Sequence, residues 1–217
     1  MRILDPARSN FRNLDIAALD RRMKAAGKFI WRRSDAQREA TRQVALAGRL
    51  DRDLWVFAYG SLMWDPAFYF AEVRSACAIG FQRDFCLRTE IGRGTPDKPG
   101  LMAGLNEGGE CQGLAFRIDH SVVDAETRVI WSREMIMKGY LPRFIALTTP
   151  QGPVEALAFI VDKSVKSYMA DLSLEETASY IATGVGAFGS NFDYTPSHEE
   201  SELYGLTRGS GAIQLCA

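Results

Sequence analysis

The sequence predicts an α+β domain around a mixed sheet, closed or strongly curled into a small barrel, with flanking helices and two further helices ahead of it. Three observations carry this. Short apolar runs recur between Leu54 and Val161, each bounded by glycine, proline or charged residues. Helical patterns with capping signals interrupt those runs singly instead of alternating with them, which is the α+β arrangement. Residues 1–53 have a different texture, with two capped helix patterns followed by the charged connector Arg49–Asp53.

The first helix is expected over Leu14–Ala26, capped by Asn13 or Asp15 and stopped at Gly27. The second opens after Ser34, with Asp35 in its first turn, and stops at Gly48. Leu54–Tyr59 is apolar and aromatic and runs into Gly60-Ser61, the pattern of a buried strand entering a tight turn. Further strands are expected at Asp84–Thr89, Leu101–Asn106, Gln112–Ile118, Arg143–Thr148 and Val154–Val161, with turns at Gly92–Gly100 and Gly108-Gly109. One helix is expected to start at Ser121, with Asp124 completing a capping box, and to stop at Gly139. Another starts at Ser173, with Glu176 as its partner, and stops at Gly184.

Composition bounds the function. A chain of 217 residues, 47% hydrophobic and 24% charged, suits one soluble domain with an extension, here 1–53 ahead of 54–217. The four cysteines form no CxxC pair and only His120 and His198 accompany them, so neither a metal site nor another cofactor is expected. The first residues mix charge with apolar side chains, unlike a signal peptide, and no apolar run approaches a membrane span; a cytosolic protein without a membrane partner is expected. Residues 1–50 hold twelve Arg/Lys against five Asp/Glu. Such a basic segment can contact nucleic acid or a membrane, or can form solvated helices docked on a more acidic body. The absence of interleaved aromatics and of a recognition motif favours docking and no nucleic-acid partner.

Three constellations can carry chemistry. Tyr59-Gly60-Ser61-Leu62 places a glycine directly after a strand; this is either a plain turn or a nest of N–H groups that holds an anion. Glu134 falls in the apolar stripe of its helix, four residues after Ile130 and three before Met137. A carboxylate there sits at the edge of the core, pairs with arginine, or lines a cavity where lost solvation raises its pKa toward that of a general acid or base. Glu126, two turns earlier, is the weaker candidate of the same kind. Gly184–Tyr194 contains GxxG after a helix instead of between strand and helix, which argues against a dinucleotide fingerprint and for a loop presenting Asn191 and Tyr194. No GxSxG or Cys/His signature supports nucleophilic catalysis.

Together these segments resemble the bacterial-type ChaC γ-glutamylcyclotransferases. The shared features are Val56–Trp64 with its YGSL turn, Arg93–Leu101 (RGTPxxPGL), Gly108–Arg117, the Arg133-Glu134 pair and the GxxGxNxxY loop Gly186–Tyr194, in matching order from about residue 54 to 205. The resemblance implies a compact barrel-like γ-glutamylcyclotransferase fold and cleavage of glutathione into 5-oxoproline and Cys-Gly without a cofactor. It further implies that Tyr59, Gly60, Ser61 and Leu62 cradle the γ-glutamyl group and that Glu134 is the acid/base. Arg88, Asn191 and Tyr194 are expected to line the cavity. A further acidic residue of some members aligns with Ala125, so that role is not carried over. The reaction suits a chain poor in histidine, because the substrate's own amine is the nucleophile. Readings left open are a different γ-glutamyl amine or dipeptide as substrate, and a non-enzymatic regulator of cation transport.

Overall fold

The computed structural model describes residues 3–29 and 31–192, together with the main chain of two short strands at 206–209 and 212–215. Tyr194 therefore lies outside the described residues. The helices are α1 (Ile16–Ala25), α2 (Asp35–Ala45), α3 (Val123–Glu134) and α4 (Leu174–Thr183). The main sheet contains β1 (Leu54–Ala58), β2 (Glu72–Thr89), β3 (Gly100–Ile118), β4 (Tyr140–Leu147) and β5 (Val154–Val161) in the order β2-β3-β1-β5-β4. β1 runs parallel to β5; the β2–β3, β1–β3 and β4–β5 pairs are antiparallel. A hairpin of β6 (Val185–Gly186) and β7 (Gly189–Ser190) follows α4, and β8 (Leu206–Gly209) pairs with β9 (Ala212–Leu215). Among the described residues no helix is long and apolar enough to cross a membrane.

The sheet curls until its outer strands meet. Cys77 on β2 exchanges two 2.9 Å main-chain hydrogen bonds with Thr148, just past β4. A kink makes this possible. Between the pairs Ile79↔Glu110 and Phe81↔Glu107 the register shifts, and Gly80, Gly108 and Gly109 all adopt positive φ. The glycine pair expected as a turn is thus a bend inside one long strand. The expected strands Leu101–Asn106 and Gln112–Ile118 are its two arms.

Alternation along β1 separates two apolar layers. Leu54, Val56 and Ala58 face a cluster shared with Leu46, Val123, Ile130, Trp131 and Met135, under the helices. Phe57 and Tyr59 face the inside of the curl, with Ala78, Leu105, Ile145 and Ala158. Both faces of β1 are covered, which is why its sequence reads as an unbroken apolar run. Leu46 brings the N-terminal segment into the first cluster.

Capping explains most helix starts. Asp15 accepts from Ala18 N–H at 2.8 Å; the pairs Ser34/Gln37 and Ser173/Glu176 form reciprocal boxes. α3 departs from the expected pattern. Ser121 sits in a 3-10 turn, His120–Val122, capped by Asp119, and among the described residues no side chain caps the start of α3 itself. Asp124 instead pairs with Arg42 at 2.9 Å and Arg128 at 3.3 Å, charge-assisted bonds that outcompete a bond to a neutral N–H. The helix also ends at Glu134, short of Gly139. Arg33 donates to the Met135 and Met137 carbonyls beyond its last turn, so a residue of the N-terminal segment caps it.

Candidate active site

β1 ends where the chain must leave the sheet, and Tyr59–Met63 forms the exit. Tyr59 is buried and its hydroxyl donates to the Phe159 carbonyl, pinning the end of β1 across β5. Leu62 and Met63 are buried in the core. Ser61–Met63 forms a 3-10 turn whose first hydrogen bond runs from Met63 N–H to the Gly60 carbonyl at 2.8 Å. The N–H groups of Ser61 and Leu62 precede that bond, as the leading donors of any helical turn do. The side chains of Tyr59 and Leu62 thus anchor the turn, while half-exposed Gly60 and Ser61 are the parts that can face a ligand.

Glu134 occupies the last turn of α3. Next to it, Arg133 is 9% exposed and its guanidinium is shared four ways. It donates to Ser61 Oγ at 2.7 Å and to the Asp65 carbonyl, places Nε 3.0 Å from Glu134 Oε1, and stacks over the Phe11 ring at 4.3 Å. Burial pushes the Glu134 carboxyl above the usual glutamate range, and the Arg133 charge and hydrogen bond offset this only in part. A carboxyl poised this way, 15% exposed at its side chain, holds a proton more readily than an ordinary glutamate and is suited to exchange one with a bound group.

Glu126 is built for a different purpose. It receives both Arg12 nitrogens, at 2.6 and 3.0 Å, and Tyr69 N–H at 2.8 Å. Arg12 also lies over the Tyr69 ring. Both carboxylate oxygens are occupied, so this residue ties the N-terminal segment to α3.

The glycine-rich loop docks on the Arg93–Leu101 segment. Phe188 N–H donates to the Gly92 carbonyl and Arg93 to the Ser190 carbonyl. Asn191 is fully buried; its amide accepts from Leu101 N–H and donates to the Leu101 carbonyl, both at 2.8 Å. It joins two loops instead of presenting a free amide. Arg88, at the far end of β2, pairs with Glu90. The structure thus brings Ser61, Arg133 and Glu134 together, keeps Asn191 within the loop junction, and gives Arg88 a local partner. Phe11 and Asp65 at this site had no local sequence signal, since contacts from distant parts of the chain create their roles. Among the described residues, Asp53, Asp119 and His120 could together approach a metal, but they lie at the surface, with Asp53 already held by Arg117 and His120 N–H.

The family model for ChaC-like protein matches residues 54–203. The chain belongs to this family. A glutathione-specific γ-glutamylcyclotransferase of Escherichia coli (strain K12) is 40% identical over 79% of this chain and 74% of its own length. Glutathione-specific γ-glutamylcyclotransferase 1 of Danio rerio is 34% identical over 65% of this chain and 74% of its own. The fold is shared with a crystal structure of a γ-glutamyl cyclotransferase specific to glutathione from yeast, at TM-score 0.60 and 20% identity, covering 66% of this chain and 83% of that one. The ChaC-like match begins at β1, so Phe11, Arg12 and Arg33, which brace α3, come from outside the matched region.

Proposed function

We propose that the chain is a γ-glutamylcyclotransferase that cleaves glutathione into 5-oxoproline and Cys-Gly, with Glu134 as acid and base. The observation that carries this reading is the Glu134 carboxyl, raised in pKa by burial and linked through Arg133 to the Ser61 turn. The substrate's α-amine gives a proton to Glu134 and attacks its own γ-amide carbonyl. The new bond joins the α-nitrogen to the γ-carbonyl carbon and closes the five-membered ring. The bond to the cysteine nitrogen then breaks, and Glu134 returns the proton to that nitrogen. No water is consumed.

The protein's share of the work is conformational and electrostatic. Holding the γ-glutamyl chain folded exploits the effective molarities of about 10⁵–10⁸ M reached by well-oriented intramolecular reactions. The Ser61 and Leu62 N–H groups supply donors for the substrate's carboxylate or the developing oxyanion. Residues 1–53 are read as an extension that braces the helix carrying Glu134, and the cytoplasm, with its reduced thiol pool, as the place of work.

The test is to incubate the purified protein with millimolar glutathione and to look for 5-oxoproline and Cys-Gly by mass spectrometry, with Glu134→Gln and γ-Glu-Ala alongside. Both products from wild type are expected, with turnover reduced about 10²–10⁴-fold in the variant. Release of 5-oxoproline from γ-Glu-Ala alone would change the substrate and keep the chemistry. A folded wild type that yields neither product overturns the reading.

A further inference from the structure

Arg83 is a buried cation with an unsatisfied donor, in contact with the same turn. It lies on β2 opposite Leu105 and is 8% exposed. One terminal nitrogen donates to the Gln112 carbonyl at 2.8 Å and lies 4.0 Å from Met63 Sδ. Its Nε is sealed from solvent and, among the described residues, has no hydrogen-bond partner. Among the described residues no carboxylate comes within 4.0 Å of this guanidinium, whereas Arg12, Arg42 and Arg133 each have one.

The location is specific. The register Ala58↔Leu114 carries Tyr59 and Gly60 past Gly113 and Gln112 as β1 leaves the sheet. Met63 is the last residue of the 3-10 turn that follows. The guanidinium is therefore held between β3 and Met63, the last residue of the turn that opens with Ser61 and Leu62. Arg133, which also reaches this turn, is already committed to Ser61, Asp65 and Glu134. A guanidinium stays charged at any working pH, and a buried charge is unfavourable unless it is paired. A buried cation with a spare donor, in contact with a turn whose leading N–H groups precede its first hydrogen bond, describes a site for an anion.

We propose that Arg83 anchors the α-carboxylate of the γ-glutamyl group, an inference that rests on the cyclotransferase reading above. In such a substrate the α-carboxylate shares a carbon with the amine that must meet Glu134, and Arg133 ties Glu134 to this turn. The other carboxylate of glutathione lies at the opposite end of the molecule, on the leaving half. Arg83 is thus a binding residue common to all γ-glutamyl substrates and indifferent to what leaves.

The test compares wild type with Arg83→Met and Arg83→Lys on glutathione and on its glycine-esterified form, and follows stabilisation by 5-oxoproline in thermal melts. Arg83→Met is expected to raise KM about 10- to 100-fold on both substrates alike, with kcat changed far less, as for a lost charge-assisted hydrogen bond made in ground and transition states equally. Arg83→Lys should recover part of the loss and serves as the reporter if the methionine variant does not fold. 5-Oxoproline, which retains the same carboxylate, should raise the Tm of wild type and not of Arg83→Met. An unchanged KM in a folded variant, or a penalty that disappears with the ester, overturns the proposal. A wild type without turnover that still binds 5-oxoproline through Arg83 would uphold the subsite and remove the reaction; the absence of both turnover and binding would remove both.

Discussion

Arg133 donates to Ser61 Oγ at 2.7 Å, so the last turn of α3 and the exit turn of β1 are one rigid unit. The same guanidinium holds Glu134 Oε1 at 3.0 Å and rests on Phe11. Its planar fork reaches the hydroxyl, the Asp65 carbonyl and the carboxylate at once, which an ammonium on a flexible stem does not reproduce. The position of Glu134, the proposed acid/base, therefore depends on a residue that need not touch the substrate.

Replacing Arg133 by lysine keeps the charge and removes the fork. Turnover is expected to fall by about tenfold or more, within the 10²-fold that a displacement of about 1 Å brings. The acid limb of the kcat/KM profile should shift with it, since Arg133 is the group that holds the Glu134 pKa down against burial. A KM change alone, with kcat and the pH profile intact, would show that Arg133 does not position Glu134.

The raised pKa of Glu134 also predicts how stability varies with pH. Its carboxyl titrates higher in the folded chain than in the unfolded one, so the folded state favours the protonated form. That contribution is complete below the unfolded value of about 4.3 and is lost as pH rises through the folded value. Glu134→Gln mimics the protonated state. The variant should melt above wild type at pH 7–8, and the difference should shrink toward pH 4 while activity is lost throughout. Melting curves across that range check the sign; a variant less stable at pH 8 than at pH 4, relative to wild type, would contradict it.

Much of this arrangement is visible in the chain before it folds. β1, β5, α2 and α4 follow from an apolar run, interrupted in β5 only by Glu155, or from a capping box, both local signals. The first half of β2 escapes because Glu72 and Arg74 are half-buried while Val73 and Ile79 are exposed, the reverse of an apolar-in alternation, and Gly80 interrupts it. Gly108-Gly109 reads as a turn because nothing local reveals that Gly80 bends with it on the facing strand. Glu134 is legible as a carboxylate in an apolar stripe, but its stripe partner Met137 lies past the helix end. The contributions of Phe11 and Arg83 arise only from contacts across the fold.

The junction of the two glycine-bearing loops yields a steric prediction. A Cβ on Gly186 would fall inside contact distance of the Gly92 carbonyl and 2.6 Å from Gly94 N, all main chain that cannot rotate away. Gly186→Ala should therefore destabilise the junction by about 1–3 kcal/mol, as overpacking does. Amide exchange at Leu101, whose N–H is held by Asn191 Oδ1, is expected to accelerate in the variant. Unchanged exchange at Leu101 would mean that the loops separate without disturbing the Asn191 lock.

The two glutamates of α3 can be told apart by removing the partner of each. Glu126 is 3% exposed and takes both nitrogens of Arg12. Arg12→Met leaves that carboxylate buried with only Tyr69 N–H, and removing one partner of a buried pair destabilises by about 3–5 kcal/mol. Glu126→Gln in the same background should restore part of the loss, because the charge that burial penalises is gone. Below the lowered melting temperature, kcat should stay within a fewfold of wild type, in contrast to Glu134→Gln, which is expected to melt at or above wild type and to lose turnover. Urea melts paired with kinetics on the three variants separate the roles. If Arg12→Met abolished turnover while leaving the melt unchanged, Glu126 would have to be moved from the scaffold to the chemistry.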